Sequence, residues 1–338
     1  MPQLLYASGL PQATAVIRSQ PEDFLVVEEL SFTPSGNGQH VYLLIDKRGL
    51  NTEAVAKQLA RFADVRQVAI GYAGLKDRHA ITRQWFSLDL AGKPEPDWSS
   101  FNSENIQVVE TIRHDRKLKR GAIRYNHFQI TLRQFKGDEQ ELVQRLATVR
   151  RSGVPNFFGE QRFGHDENNL NQFEKLVSRE IKQPKRHLRG LYLSAARSCL
   201  FNLVLSQRIA NQTWNTPVNG DVLMLEGSHS VFSVDAINEE IIQRVNALDI
   251  HPTGPMWGSG TPMTISDALD LEIRTLQPHQ PWCEFLEKAG LKQERRALRI
   301  KVGDMRWEWQ GDDVVLKFKL PTGSYATAVL RELVLYGG

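Results

Sequence analysis

The run Gly71-Tyr72-Ala73-Gly74-Leu75-Lys76-Asp77-Arg78-His79-Ala80-Ile81-Thr82-Arg83-Gln84-Trp85-Phe86 sets one carboxylate, Asp77, between two cations, Lys76 and Arg78, with the small residues Gly71, Ala73 and Gly74 beside it. Opposite charge within a few ångströms keeps a carboxylate ionised and lowers its pKa, which suits a nucleophile better than a proton donor. The same composition fits an aspartate in a surface ion pair of a plain turn, and spacing alone leaves both readings open. A hydrolase that cleaves glycosidic bonds needs two acidic groups at a defined separation, whereas this loop offers one. His79 and His114 have no partner pattern of a triad or a metal site. The chain carries no Rossmann glycine fingerprint, no P-loop and no Cys/His ligand set, so neither cofactor nor metal is expected. Cys199 and Cys283 are far apart and are expected to be buried thiols.

The elements that must hold this loop are strand-rich. Residues 13 to 31 read as extended, with a Pro-Glu-Asp turn at 21 to 23 and then Phe24-Leu25-Val26-Val27. Residues 52 to 63 read as a helix, with Val55, Leu59 and Phe62 at helical spacing and Asn51 or Thr52 as N-cap. Apolar or alternating segments follow at 67 to 73, 83 to 90, 105 to 112 and 123 to 133. From about residue 137 the period becomes helical, with Leu142, Leu146 and Val149, and then a loop from Gly153 to Gly164 rich in Gly, Asn and aromatics. Further helices are expected over 194 to 211, 237 to 247 and 280 to 290. Asn219-Gly220, beside short apolar runs at 222 to 225 and 231 to 234, signals a hairpin. The end returns to the first style, with an alternating strand at 314 to 320 broken at Pro321 and a helix over 324 to 335. The whole predicts an α+β fold: a sheet domain formed by 1–151 plus 300–338, interrupted by a largely helical insertion at 152–299.

The composition is that of a folded chain: 338 residues, 41% hydrophobic and 24% charged. Its start, MPQLLYASGLPQATAVIR, lacks the basic and then apolar pattern of a signal peptide, and no stretch approaches a membrane span, so the expected location is the cytoplasm. A net charge of only +3 does not announce a polyanion partner. Local density says more. Positive charge gathers at 113 to 120 with Arg124, at Lys182, Lys185, Arg186, His187 and Arg189, and at Lys292, Arg295, Arg296, Arg299 and Lys301. Each cluster suits phosphate contacts or a solvated face.

Several blocks in one order carry a resemblance. They are Pro21-Glu22-Asp23-Phe24, Ala73 to Ala80, Asn126-His127-Phe128, Gly153 to Gly164, Leu193 to Ser198, and Leu320-Pro321-Thr322-Gly323-Ser324-Tyr325-Ala326-Thr327. Through them most of the chain resembles the TruD family, the tRNA pseudouridine synthases that act on uridine 13. The resemblance implies the pseudouridine synthase fold with an inserted TRUD domain, tRNA as partner, and Asp77 as the residue that attacks the target nucleoside. Where the family carries a lysine ahead of its Pro-Glu-Asp-Phe block, this chain has Arg18. Arginine keeps the charge and adds a planar fork that orients a carboxylate, but it cannot release a proton. The resemblance also implies that Phe24, Asn126, Phe128 and Tyr325 line the uridine pocket, with Lys76 and Arg78 beside them. A flipped uracil needs an apolar or aromatic face for stacking and an amide for its polar edge. Core packing is the competing account of the three aromatics. Arg162 and Arg197 suit either RNA phosphates or hydrogen bonds that tie the insertion's loops together. The rival functions are an RNA-binding protein that keeps the fold without the chemistry, and a nucleosidase. One chain is expected to suffice, as a monomer.

Overall fold

The computed structural model describes residues 4–90, 92–182 and 184–337. In chain order these form β1 (Thr14–Val16), β2 (Phe24–Leu30), β3 (His40–Arg48), α1 (Thr52–Phe62), β4 (Ile70–Tyr72), β5 (Ile81–Asp89), β6 (Ile106–His114), β7 (Ile123–Lys136) and α2 (Glu139–Ser152). Then come β8 (Val154–Pro155), α3 (Asn168–Val177), α4 (Arg186–Ala210), β9 (Val222–Leu225), β10 (Val231–Ser233), α5 (Glu239–Asn246) and β11 (Ile250–Met256). The remainder is α6 (Ser266–Leu276), α7 (Gln280–Lys288), β12 (Glu294–Ala297), β13 (Arg299–Ile300), β14 (Gly303–Gln310), β15 (Asp313–Pro321), α8 (Ala326–Leu333) and β16 (Leu335–Gly337). The class is mixed α+β with mainly antiparallel sheets.

Contacts divide the chain into two compact units. One consists of Gln12–Leu142, Val302–Gly323 and Val334–Gly338; the other of Met1–Pro11, Val143–Lys301 and Ser324–Leu333. The first unit is built on one sheet of order β14-β15-β7-β2-β5-β3-β6, with β4 paired to β5 and β1 paired to β7 and β16. Among the described residues of this sheet, only β2 with β5 and β1 with β16 run parallel. Strand alternation turns Val41, Leu43 and Ile45 of β3 toward Val55, Ala56 and Leu59 of α1, and this apolar layer closes one face of the sheet. Asn51 caps α1, its side chain accepting from Ala54 N at 2.8 Å.

In the second unit, α4 is the central helix. Along it Tyr192, Ala196, Leu200 and Val204 pack with Phe173 and Leu176 of α3 and with Cys283 and Leu286 of α7. A sheet of order β10-β9-β11-β12 accompanies the helices. β9 and β10 form the expected hairpin, yet Asn219-Gly220 is not its turn. The connection runs through Glu226 to Ser230, with Gly227 at φ +71°. Gly220 serves a close approach instead: a Cβ there would lie 1.9 Å from the Ile265 carbonyl oxygen. Both cysteines are buried, and burial pushes each thiol up to about 12. Among the described residues no helix is long and apolar enough to cross a membrane.

Candidate active site

Strand register lays out the site on one face of the large sheet. Lys47, Thr82, Val26, Phe128 and Phe318 stand in one line across β3, β5, β2, β7 and β15, and Glu28, Asn126 and Leu320 stand in the next. Residues directly opposite one another in a ladder point to the same face, so these side chains share a surface. The loop from Ala73 to Ala80, between β4 and β5, carries Asp77.

The Asp77 carboxylate meets Arg18, whose Nη2 donates to Asp77 Oδ2 at 3.1 Å. Both side chains remain partly open to solvent. Arg18 stands at φ +57°, a backbone conformation uncommon outside glycine, Asn and Asp. Its guanidinium lies 4.4 Å from the centre of the Phe24 ring. Phe24 makes an edge contact with Phe128 at 6.1 Å, and Phe128 stacks on Phe318 at 5.4 Å. Asp77, Arg18, Phe24 and Phe128 are thus joined by successive contacts. Asn126 is buried two residues before Phe128 on the same face, and among the described residues its Oδ1 accepts no hydrogen bond. A buried amide oxygen left in that state is costly unless a ligand supplies the donor.

The two cations beside Asp77 in the chain do not flank its carboxylate. Lys76 turns inward and pairs with Glu28, Nζ to Oε1 at 2.6 Å, while Arg78 donates from Nε to the Gly49 carbonyl at 3.4 Å. Consecutive residues of an extended loop point in different directions, so adjacency along the chain did not become adjacency in space. Tyr325 falls in the second unit, just before α8, and is 40% exposed.

Four residues with no part in the loop by sequence hold it in the structure, Thr52 among them, an N-cap candidate by sequence for a place that Asn51 takes. Lys47 is almost wholly buried, donating to the Leu50 carbonyl at 2.7 Å and reaching the Asp77 carbonyl at 3.4 Å. Burial, and then the nearby Lys76 charge, bring its ammonium down to about 8. Glu28 is buried as well, accepting from Trp85 N at 3.0 Å, and burial pushes its carboxyl up against the pull of Lys76. Thr52 accepts from Lys76 N at 2.9 Å and donates to Gln84 Oε1 at 2.9 Å, while Gln84 Nε2 donates to the Gly74 carbonyl at 2.8 Å. A signal was present. In Phe24-Val26-Glu28 and in Val41-Leu43-Ile45-Lys47 the period of two carries a charged residue onto the apolar face.

The basic clusters separate sharply. In the first, Arg116, Lys119, Arg120 and Arg124 are exposed. Their loop is fastened: Gly121 N donates to the Ala73 carbonyl at 2.9 Å, Leu118 N to Ser87 Oγ at 2.9 Å, and the Tyr42 hydroxyl to the Arg116 carbonyl at 2.9 Å. A Cβ at Gly71 would meet the Leu118 carbonyl oxygen at 2.5 Å, so glycine there lets this loop lie against β4. In the second cluster Lys182, Lys185, Arg186 and His187 are exposed. In the third, Lys292 is exposed but the three arginines are engaged within the fold. Arg295 pairs with Glu272 at 2.6 Å with both side chains buried, and Arg299 donates to the Val245 and Ile250 carbonyls. Arg296 lies 4.1 Å over the Phe158 ring and donates to Asn156 Oδ1, its pKa brought down to about 10 by burial. Arg162 bonds Ser198 and Ser194, and Arg197 bonds the Met256 and Lys292 carbonyls, so both tie segments of the unit together.

Comparison with known proteins points one way. The family model described as tRNA pseudouridine synthase D (TruD) matches residues 2–184 and 168–333. The chain is 49% identical over 334 residues to a protein of Nitrosococcus oceani named tRNA pseudouridine synthase D, covering 98% of this chain and 93% of that one. It is also 49% identical over 319 residues to a Methylococcus capsulatus protein of the same name, covering 94% and 90%. In fold it matches a crystal structure titled as the putative tRNA pseudouridine synthase D from Methanosarcina mazei, with a TM-score of 0.71, 21% identity, and coverage of 98% and 95%.

Proposed function

The chain belongs to the tRNA pseudouridine synthase D (TruD) family, and from that premise we infer that it converts uridine 13 of tRNA to pseudouridine with Asp77 as nucleophile and Arg18 as the group that orients it. The observation that carries the assignment is the Arg18–Asp77 ion pair at 3.1 Å, set beside the Phe24–Phe128 wall. The Arg18 guanidinium donates to the carboxylate from one side and so fixes its orientation for attack. The target uridine leaves its stack, an expense of a few kcal/mol, and enters against Phe24 and Phe128. Asn126 Oδ1, buried without a donor, suits the uracil N3–H. Asp77 forms a bond to C1′, displacing N1, or adds at C6. The N1–C1′ bond breaks, uracil turns while held, C5 bonds to C1′ and the bond to Asp77 breaks, and the proton lost from C5 is balanced by one gained at N1. No redox change occurs.

The domain reading belongs to this proposal: a catalytic sheet domain of 1–151 and 300–338 around an insertion at 152–299. Its support is that β14, β15 and β16 pair into the same sheet as β1 to β7, whereas among the described residues β8 to β13 pair only among themselves.

Incubating unmodified tRNA transcripts with the protein and mapping pseudouridine by carbodiimide labelling and primer extension tests the reaction. The expected result is a stop at uridine 13. Modification confined to another position would refute the site, and release of free uracil would make the protein a nucleosidase. The exposed loop carrying Lys119 and Arg120 is taken to grip phosphates. A Lys119→Gln/Arg120→Gln variant should therefore bind tRNA more weakly and flatten the slope of log affinity against log salt by about 1.5 to 2. An unchanged slope would remove this loop from the RNA surface.

A further inference from the structure

Leu75 is 63% exposed, two positions before Asp77. Single exposed leucines are common on proteins and need no explanation by themselves. This one is different in how it is held. On its N-terminal side the Gly74 carbonyl is bonded by Gln84 Nε2 at 2.8 Å. On its C-terminal side Lys76 N is bonded to Thr52 Oγ1 at 2.9 Å, and Lys76 Nζ is paired with buried Glu28 at 2.6 Å. Beyond those, Lys47 reaches the Asp77 carbonyl. Both neighbours are fastened to the sheet side of the loop, so the leucine is presented outward by its neighbours' bonds and not by looseness of the loop.

Exposed cations lie on its own loop and on a loop bonded to it. Arg78 is exposed one residue past Asp77, and the loop carrying Lys119 and Arg120 is bonded to Ala73 through Gly121 N at 2.9 Å. A fixed apolar side chain on a loop with exposed cations matches nucleic acid, where phosphates meet the cations and base faces meet the apolar group. An extruded nucleotide leaves a gap in its stack, and the neighbouring bases gain by packing against an inserted apolar side chain.

We propose that Leu75 is the wedge that enters the RNA stack beside the target uridine as that nucleotide moves to Asp77. The proposal rests on the extrusion step given above. Leu75 touches no reacting atom; it acts by lowering the cost of opening the helix. Its contribution is therefore large for a uridine that is paired and stacked, and small for one that is already free.

The test uses the full chain and a tRNA transcript with 2-aminopurine next to the target uridine, followed by stopped-flow fluorescence together with single-turnover isomerisation. Wild type should give a rise in fluorescence on mixing. Leu75→Ala should lose most of that rise and slow isomerisation of the paired substrate by about tenfold or more. On a transcript in which the base opposite the uridine is deleted it should fall within about twofold of wild type, since the opening has already been made. Leu75→Met, apolar and of similar volume, should restore the paired substrate. A Leu75→Ala enzyme matching wild type on both substrates, or slowed equally on both, overturns the wedge and leaves extrusion standing. No fluorescence rise with wild type itself overturns extrusion, and the wedge with it.

Discussion

Asp77→Asn is expected to lower the single-turnover rate of pseudouridine formation by about ten-thousandfold or more while leaving tRNA binding in place, because an amide cannot form the covalent bond that a carboxylate forms. The substitution is nearly isosteric. Asparagine Oδ1 still accepts from Arg18, and the backbone at residue 77 keeps its contact with Lys47. The side chain is 42% exposed, so stability should move by no more than about 0.5 kcal/mol. Quench-flow with radiolabelled transcript reads the chemical step, and filter binding reads the affinity. A variant that turns over at the wild-type rate would remove Asp77 from the chemistry. Loss of binding together with rate would make it a binding residue.

Glu28→Gln is the second large effect, and it acts from beneath the loop. Glu28 pairs with Lys76 at 2.6 Å and lies within electrostatic reach of Lys47, all three largely withdrawn from solvent. Such a pair adds little net stability over apolar packing, yet removing one partner strands the other. A loss of about 3 kcal/mol is expected in the unfolding of the sheet unit, followed by tryptophan fluorescence in urea. The Glu28→Gln/Lys76→Met double variant takes out both charges and should recover part of that loss. Greater destabilisation in the double variant would show that Lys76 is not held by Glu28. The same pair tests the place of Lys76 in the site. With its ammonium engaged by Glu28, Lys76→Met should act chiefly on kcat, through the position of Asp77, whereas a lysine that bound the substrate phosphate directly would act on KM.

The elements were legible because their signals are local. The helix from Thr52 shows its cap and its apolar stripe within a dozen residues, and β15 shows its alternation and its stop at Pro321. The short strand β8 and the helix α3, which begins after Glu167 in a left-handed conformation, had no such local signature. The family was legible too, because the blocks that hold Phe24, Asp77, Asn126, Phe128 and Tyr325 are contiguous and occur in one order. The partner of each charge was not legible. Lys76 stands beside Asp77 in the chain but binds Glu28, and Arg18 reaches Asp77 across 59 positions.

The same distinction decides the arginines. From spacing, the cluster at 292 to 301 and the cluster at 113 to 124 look alike. In the structure Arg295 and Arg299 are enclosed with Glu272, Thr253 and backbone carbonyls, while Lys119 and Arg120 face solvent. By itself, then, the sequence determined the family and the periodic elements and singled out the Asp77 loop, since each is written in contiguous residues. Tertiary structure alone decided which cation pairs with Asp77, which charges lie buried behind it and which basic cluster faces solvent. The reason is physical: the energy of a charge depends on burial and on partners within a few ångströms, and strand register brings those partners from distant parts of the chain.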